Sequence, residues 1–189
     1  MAQRSPRSDA LRNRIKILTA ASDAFARDGA EVPLDTIAVL AGVGPGTVHR
    51  HFPTKQSLVS AVVAARLGHL AERAEQSSTD PAANFFEFLA ELADEARHNL
   101  VLTEALGGTL GTEGEQSAQR LSRALESLLK AAQRSGAVRA DLTVSDLHAI
   151  IIGALTIEHR LTAGHQGLGL EIVLQGLRNS QPAAPGDRV

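Results

Sequence analysis

Apolar residues recur along this chain with helical spacing, and hardly anywhere with the alternation of a strand. Leu11, Ile15, Leu18, Ala21 and Phe25 step by four, three, three and four, which predicts one amphipathic helix over 9–27. Ser8 or Asp9 can cap its start, and Asp28-Gly29 ends it with a glycine able to turn left-handed. Two short helices follow, 34–41 stopped by Gly42 and 45–52 stopped before Pro53. Thr54 then caps a longer one over 55–76, where Leu58, Val62 and Ala65 form one apolar line and Val59, Val63, Leu67 and Leu70 another. After the joint at 77–81, Asp80 caps and Pro81 opens a helix to 99, and 100–110 continues apolar and helical. Gly107-Gly108 and the run 111–114 give the most flexible-looking interior stretch. Further helices are expected over 117–135, 145–163 and 168–178, with a disordered tail over 179–189. No internal repeat is visible, and the fold class is all-α.

Composition narrows the class. With 189 residues, 43% hydrophobic and 21% charged, this is ordinary globular material, long enough to bury about 70% of its surface on folding. The absence of cysteine removes disulfides, thiolate metal sites and cysteine nucleophiles. No apolar run has the length of a membrane span, and the five basic residues among the first sixteen are not followed by a signal-type apolar stretch. A cytoplasmic protein with no membrane partner is expected.

The net charge of −2 conceals a split: residues 1–66 carry nine Lys/Arg against five Asp/Glu, and residues 67–189 carry ten against sixteen. A basic module that meets a polyanion, joined to an acidic body, fits this pattern, as does a chance cluster on a solvated face. The two short helices decide between them. Their three- or four-residue link around Gly42-Val43-Gly44 has helix-turn-helix spacing, in which the second helix enters the major groove. Phe25, Ile37, Ala38, Ala41, Val43, Val48 and Phe52 would hold the three-helix unit together. Thr47, His49, Arg50 and His51 are left as donors for phosphates and base edges.

The run from Ile37-Ala38 through Ala41-Gly42-Val43-Gly44, Gly46-Thr47-Val48-His49-Arg50-His51-Phe52-Pro53-Thr54-Lys55 to Leu58 resembles the TetR family of bacterial transcriptional regulators. The resemblance covers about 10–66. It implies a helix-turn-helix DNA-binding domain over 9–54 and a helical ligand-binding and dimerisation domain over 55–178, with 55–76 as the connecting helix. It also implies a homodimer formed by the last two helices, a double-stranded DNA operator and a small-molecule effector. The DNA-contacting set would be Thr36, Pro45, Gly46, Thr47, His49, Arg50, His51 and Lys55. His49 stands where the family usually has a tyrosine bonded to phosphate, Pro45 replaces a polar or aliphatic residue, and Lys55 matches the family's phosphate-contacting lysine. Arg4, Arg7 and Arg12, on or beside a flexible basic arm over 1–8, are candidates for the minor groove.

In the body, Phe85, Phe88, Leu89, Leu92, Leu106, Leu125 and Leu128 are candidates for an apolar pocket, with His98 as a polar point; plain core is the alternative for each. All five aromatic residues are Phe, so an apolar effector suits such a pocket best. The run 150–157 is apolar nearly all round, which supports burial against a second subunit as well as within one. Ile150, Ile151, Ala154, Leu155, Leu161, Val173, Leu174 and Leu177 are the candidate interface.

Other readings carry less. Gly42-Val43-Gly44-Pro45-Gly46-Thr47 misses the third glycine of a dinucleotide turn. His49 and His51 diverge by about 200° on a helix and cannot share a metal. No catalytic constellation stands out, and neither an enzyme nor a cofactor is expected. A repressor released by its effector is the leading expectation; a ligand-independent or activating regulator is the alternative.

Overall fold

The computed structural model describes residues 6–98, 111–158, 161 and 167–179. Among them are eight helices: α1 Pro6–Asp28, α2 Leu34–Ala41, α3 Pro45–His51, α4 Lys55–Ala74, α5 Pro81–His98, α6 Thr112–Arg134, α7 Val144–Glu158 and α8 Leu168–Leu177. Isolated pairing of Val138 with Arg178 is the one extended contact among the described residues. The fold class is all-α, as the periodicity predicts.

The chain divides into two compact units, residues 1–71 with 98–121, and residues 72–97 with 122–189. The division falls inside α4, before the last residue of α5, and inside α6. In the first unit, Ile17, Ala21, Ala24 and Phe25 of α1 are fully or almost fully buried, together with Ile37 and Ala38 of α2, Val48 of α3, Phe52, and Leu58 and Val62 of α4. Burying each large side chain contributes about 1.5–3 kcal/mol. Arg66 of α4 donates from Nε to the buried hydroxyl of Ser22 at 3.0 Å, tying α4 to α1. The second unit has its own core of Phe85, Phe88, Leu89, Leu125, Leu129 and Leu147. Arg73 closes over it, donating to Asn84 Oδ1 at 2.9 Å and pairing with Glu91 at 2.9 Å.

Several helix ends follow the expected chemistry. Thr54 Oγ1 accepts from the Ser57 amide at 3.0 Å while Ser57 Oγ accepts from the Thr54 amide at 3.2 Å, a reciprocal cap at the start of α4. Asp80 Oδ1 accepts from the Ala83 amide at 2.9 Å to open α5. Thr143 and Asp146 exchange the same kind of bonds before α7.

Other expectations are corrected. Helix α1 begins at Pro6 and not Asp9, because proline fits the first turn, where its missing N–H is no loss. Arg7 therefore stands on α1 rather than on an arm. Arg12 is helical too, ion-paired with Asp9 one turn back. Arg4 lies outside the described residues. Leu11 and Ile15 are exposed, and the buried stripe of α1 is the one through Ile17, Ala21 and Ala24. Helix α6 begins at Thr112 rather than 117, so the run 111–114 leads into its first turn, where Glu113 and Glu115 favour the positive end of the helix dipole. Leu161 is not helical, so it falls outside the helix expected over 145–163. Asn179, expected in the tail, donates its amide to the Ala137 carbonyl at 3.0 Å. The helix expected over 100–110 lies outside the described residues.

Candidate nucleic-acid interface

The turn between α2 and α3 is built by two backbone bonds. Gly42 takes φ +63°, ψ +37°, and its amide donates to the Val39 carbonyl at 3.1 Å. The Val43 amide donates to the Ala38 carbonyl at 3.0 Å. This six-to-one, five-to-two pair is a Schellman stop, which favours glycine at the left-handed position. Gly44 then opens α3 in extended conformation, its carbonyl accepting from the amides of Thr47 at 2.8 Å and Val48 at 3.3 Å, and Pro45 supplies a pre-set first helical residue.

Seven residues are too few to stand as an isolated helix in water. Tertiary anchoring by Val48 (0% exposed) and Phe52 (2%) holds α3 in place. Those two anchors fix which face is outward. Pro45, Gly46, His49 and Arg50 are exposed and Thr47 is half-buried. Thr36 is exposed on the first turn of α2.

The outward groups are held in local pairs. Arg50 folds along its own helix, with Nε donating to the Gly46 carbonyl at 3.0 Å and Nη2 to Thr47 Oγ1 at 3.3 Å. His49 Nε2 lies 4.0 Å from Asp35 Oδ1 on α2. At the start of α4, Lys55 Nζ pairs with Glu31 Oε2 at 3.0 Å. His51 does not join them. Two residues along a helix turn it by about 200° from His49, and it is half-buried in a cleft of about 380 Å³ with Arg14, Phe52, Ser57 and Glu113.

That cleft adjoins another of about 360 Å³, lined by Leu18, Ala61, Ala64, Gln116, Ser117 and Arg120 among others, and the two share Arg14, Ala61 and Glu113. Sequence reasoning missed it. Its key pair joins Arg14 to Glu113 at 3.2 Å across 99 positions, and charges so far apart in the chain leave no local pattern. Glu31 and Asp35 were missed for the same reason.

The candidate pocket residues Phe85, Phe88, Leu89, Leu125 and Leu128 are buried in the second unit, and Leu92 is half-buried. Leu106 and the side chain of His98 lie outside the described residues. Of the candidate interface, Ile151, Ala154 and Leu177 are already buried within the protomer. Ile150, Val173 and Leu174 are half-buried, and the side chain of Leu155 is outside the described residues. Among the described side chains of α7 and α8, the exposed large apolar ones are Ile157, Leu168 and Ile172.

Two short helices joined by a left-handed stop, the second anchored so that its polar face points outward, define a helix-turn-helix DNA-binding module. Residues 17–62 match the family described as bacterial regulatory proteins, tetR family, and residues 80–179 match the C-terminal domain of SbtR-like transcriptional regulators. A TetR transcription regulatory protein from Mycobacterium vanbaalenii is 35% identical, with 92% of this chain and 99% of that one aligned at a TM-score of 0.71. The TetR transcriptional regulator SCO0520 from Streptomyces coelicolor is 28% identical over 89% of this chain and 99% of its own, with a TM-score of 0.68. FadR from Bacillus subtilis, solved in complex with stearoyl-CoA, shares the fold at 17% identity, 88% and 97% coverage and a TM-score of 0.65. No curated protein sequence matches the chain.

The chain belongs to the TetR family of bacterial transcriptional regulators. Its N-terminal domain binds DNA, and it is a regulator rather than an enzyme, as the family is. No helix among the described residues is long and apolar enough to cross a membrane.

Proposed function

We propose that the chain is a ligand-responsive repressor. It binds an inverted-repeat operator as a homodimer and leaves it when a small apolar molecule occupies the body. The DNA-binding domain is 9–54, the ligand-binding and dimerisation body is 55–178, and 55–76 connects them. One observation carries the DNA contacts: Thr47, His49 and Arg50 stand together on or beside the outward face of α3, with Lys55 at the start of the next helix. Thr47 and Arg50 would address base edges, while His49 and Lys55 would address phosphates.

A second copy is supported by Ile157, Leu168 and Ile172, which are 51%, 41% and 60% exposed on helices α7 and α8, packed against each other. An apolar effector is supported by the phenyl and aliphatic core of the second unit and by the absence of Tyr and Trp. The Bacillus subtilis relative's stearoyl-CoA carries an acyl chain of that chemistry. Release follows if the effector binds better to the conformation whose two heads no longer fit the half-sites, since only differential affinity moves such an equilibrium.

The test is equilibrium binding of Thr47→Ala and Lys55→Ala to a duplex recovered by selection from a randomised pool. Thr47→Ala should lose about 1–3 kcal/mol, a factor of about 5 to 160, if it reads a base. Lys55→Ala should weaken all duplexes alike and flatten the salt dependence by about one unit per head. Full affinity in both variants, with the fold intact by circular dichroism, would overturn the assignment.

A further inference from the structure

The two groups assigned to phosphate are each faced by a carboxylate of the same unit. Lys55 Nζ is 3.0 Å from Glu31 Oε2, whose side chain is 97% exposed, and His49 Nε2 is 4.0 Å from Asp35 Oδ1, whose side chain is 79% exposed. Neither carboxylate is needed to neutralise a buried charge. Lys55 is itself one-third exposed and His49 about half. Asp35 has a second role, since it stands in the first turn of α2 where the helix dipole favours an anion. Glu31 has no such role: it lies outside the helices, in the link between α1 and α2.

We propose that Glu31, assisted by Asp35, is an internal counter-ion to the DNA-binding face and sets the strength of its electrostatic grip. In free protein the carboxylate occupies the cation that a backbone phosphate must take. On binding, the Lys55–Glu31 pair breaks, Lys55 turns to phosphate, and Glu31 is left as a negative charge beside the duplex. Both steps oppose binding, and both are indifferent to sequence because phosphate contacts carry no base information. The freed carboxylate also takes back part of a cation, which reduces net counter-ion release. The effect is moderate by construction. Exposed pairs shift an equilibrium by a factor of about 1.5 to 5, and a dimer squares whatever one head contributes. The inference rests on the assignment of Lys55 to phosphate.

The experiment measures binding of wild type, Glu31→Gln, Asp35→Asn and Lys55→Ala to a duplex of arbitrary sequence and to the selected duplex, across a series of salt concentrations. Glu31→Gln should bind both duplexes tighter, by the same factor of about 2 to 25 for a dimer at low salt, with a steeper salt dependence. Asp35→Asn should act in the same direction. A weakened Lys55→Ala with unchanged or weakened Glu31→Gln, its melting temperature intact, would overturn the counter-ion role alone. Unchanged binding by Lys55→Ala would overturn the phosphate assignment beneath it.

Discussion

The guanidinium carbon of Arg14 lies 4.9 Å from the centroid of the Phe52 ring, and Nη2 of the same group reaches Glu113 Oε2 at 3.2 Å. Phe52 is the buried residue that closes α3, and its amide donates to the Val48 carbonyl at 2.8 Å. One side chain of α1 thus braces the end of α3 and the first turn of α6. Arg14 is one-third exposed, between the exposed and desolvated limits, so the cation–π contact contributes about 0.5–2 kcal/mol. The ion pair with exposed Glu113 contributes about 0–1 kcal/mol. Arg14→Ala should therefore lower the urea midpoint, with Glu113→Gln giving a smaller loss. If Arg14→Ala unfolds at the wild-type midpoint, the brace has no energetic content.

Two glycines of the DNA-binding module separate strain from function. A Cβ at Gly42 would meet nothing within 4 Å, but the backbone is left-handed at φ +63°. Gly42→Ala should cost about 1–2 kcal/mol from that conformation alone. A Cβ at Gly46 would likewise meet nothing within 4 Å, and there φ is not positive. Gly46→Ala should therefore stabilise the fold by about 0.5 kcal/mol. Its methyl would stand on the outward face of α3, and DNA affinity should fall while melting temperature rises. Equal or better DNA binding by Gly46→Ala would remove Gly46 from the contact set.

Three carboxyls predict a loss of stability in acid. The Asp146 carboxyl is held below the usual range, first by the Thr143 hydroxyl at 2.6 Å and then by the Thr143 amide at 2.9 Å. Hydrogen bonds from Arg27 and Arg139 lower Asp28 and Asp141 in the same way. A carboxyl depressed in the folded state binds its proton more readily in the unfolded chain. Its stabilisation is therefore complete above about pH 5 and is lost as pH falls through about 4 towards the folded value. The urea midpoint should drop between about pH 5 and pH 3, and Asp146→Asn should show a smaller drop than wild type. An identical drop in that variant would assign the acid sensitivity elsewhere.

The proposed dimer makes a prediction at Ile172, which is 60% exposed on α8. Ile172→Glu would place a charge in the proposed contact, and isolated buried charges are strongly unfavourable. Sedimentation should show a dimer for wild type and a monomer for the variant, with helix content unchanged. A variant that remains dimeric would move the interface off this face.

The DNA-binding module is legible in the sequence because its determinants are local. Gly42 marks the left-handed stop, Thr54 marks a cap three residues from its partner, and Ile37, Ala38, Val48 and Phe52 have the spacing that buries them. Helix α1 shows where the pattern is ambiguous. Leu11, Ile15 and Leu18 form a stripe as regular as Ile17, Ala21 and Ala24, and only packing against the rest of the unit selects the second. The pairs that organise the site, Lys55 with Glu31 and Arg14 with Glu113, join residues 24 and 99 positions apart and obey no periodicity. The interface candidates meet a different limit. Apolar spacing identifies Ile151, Ala154 and Leu177 as buried, which they are, but does not say whether the same subunit or a second one buries them.

The most direct test of the account is to incubate purified protein with randomised duplexes at near-physiological salt, recover the bound DNA and sequence it. Two heads on a symmetric dimer predict an inverted repeat whose half-sites lie about one helical turn apart, or a multiple of it. With three to five phosphates neutralised per head, its affinity should fall with salt at a logarithmic slope of about −5 to −9. No enriched sequence, with only salt-labile binding to every duplex, would contradict a dimeric operator-binding regulator that reads DNA through α3.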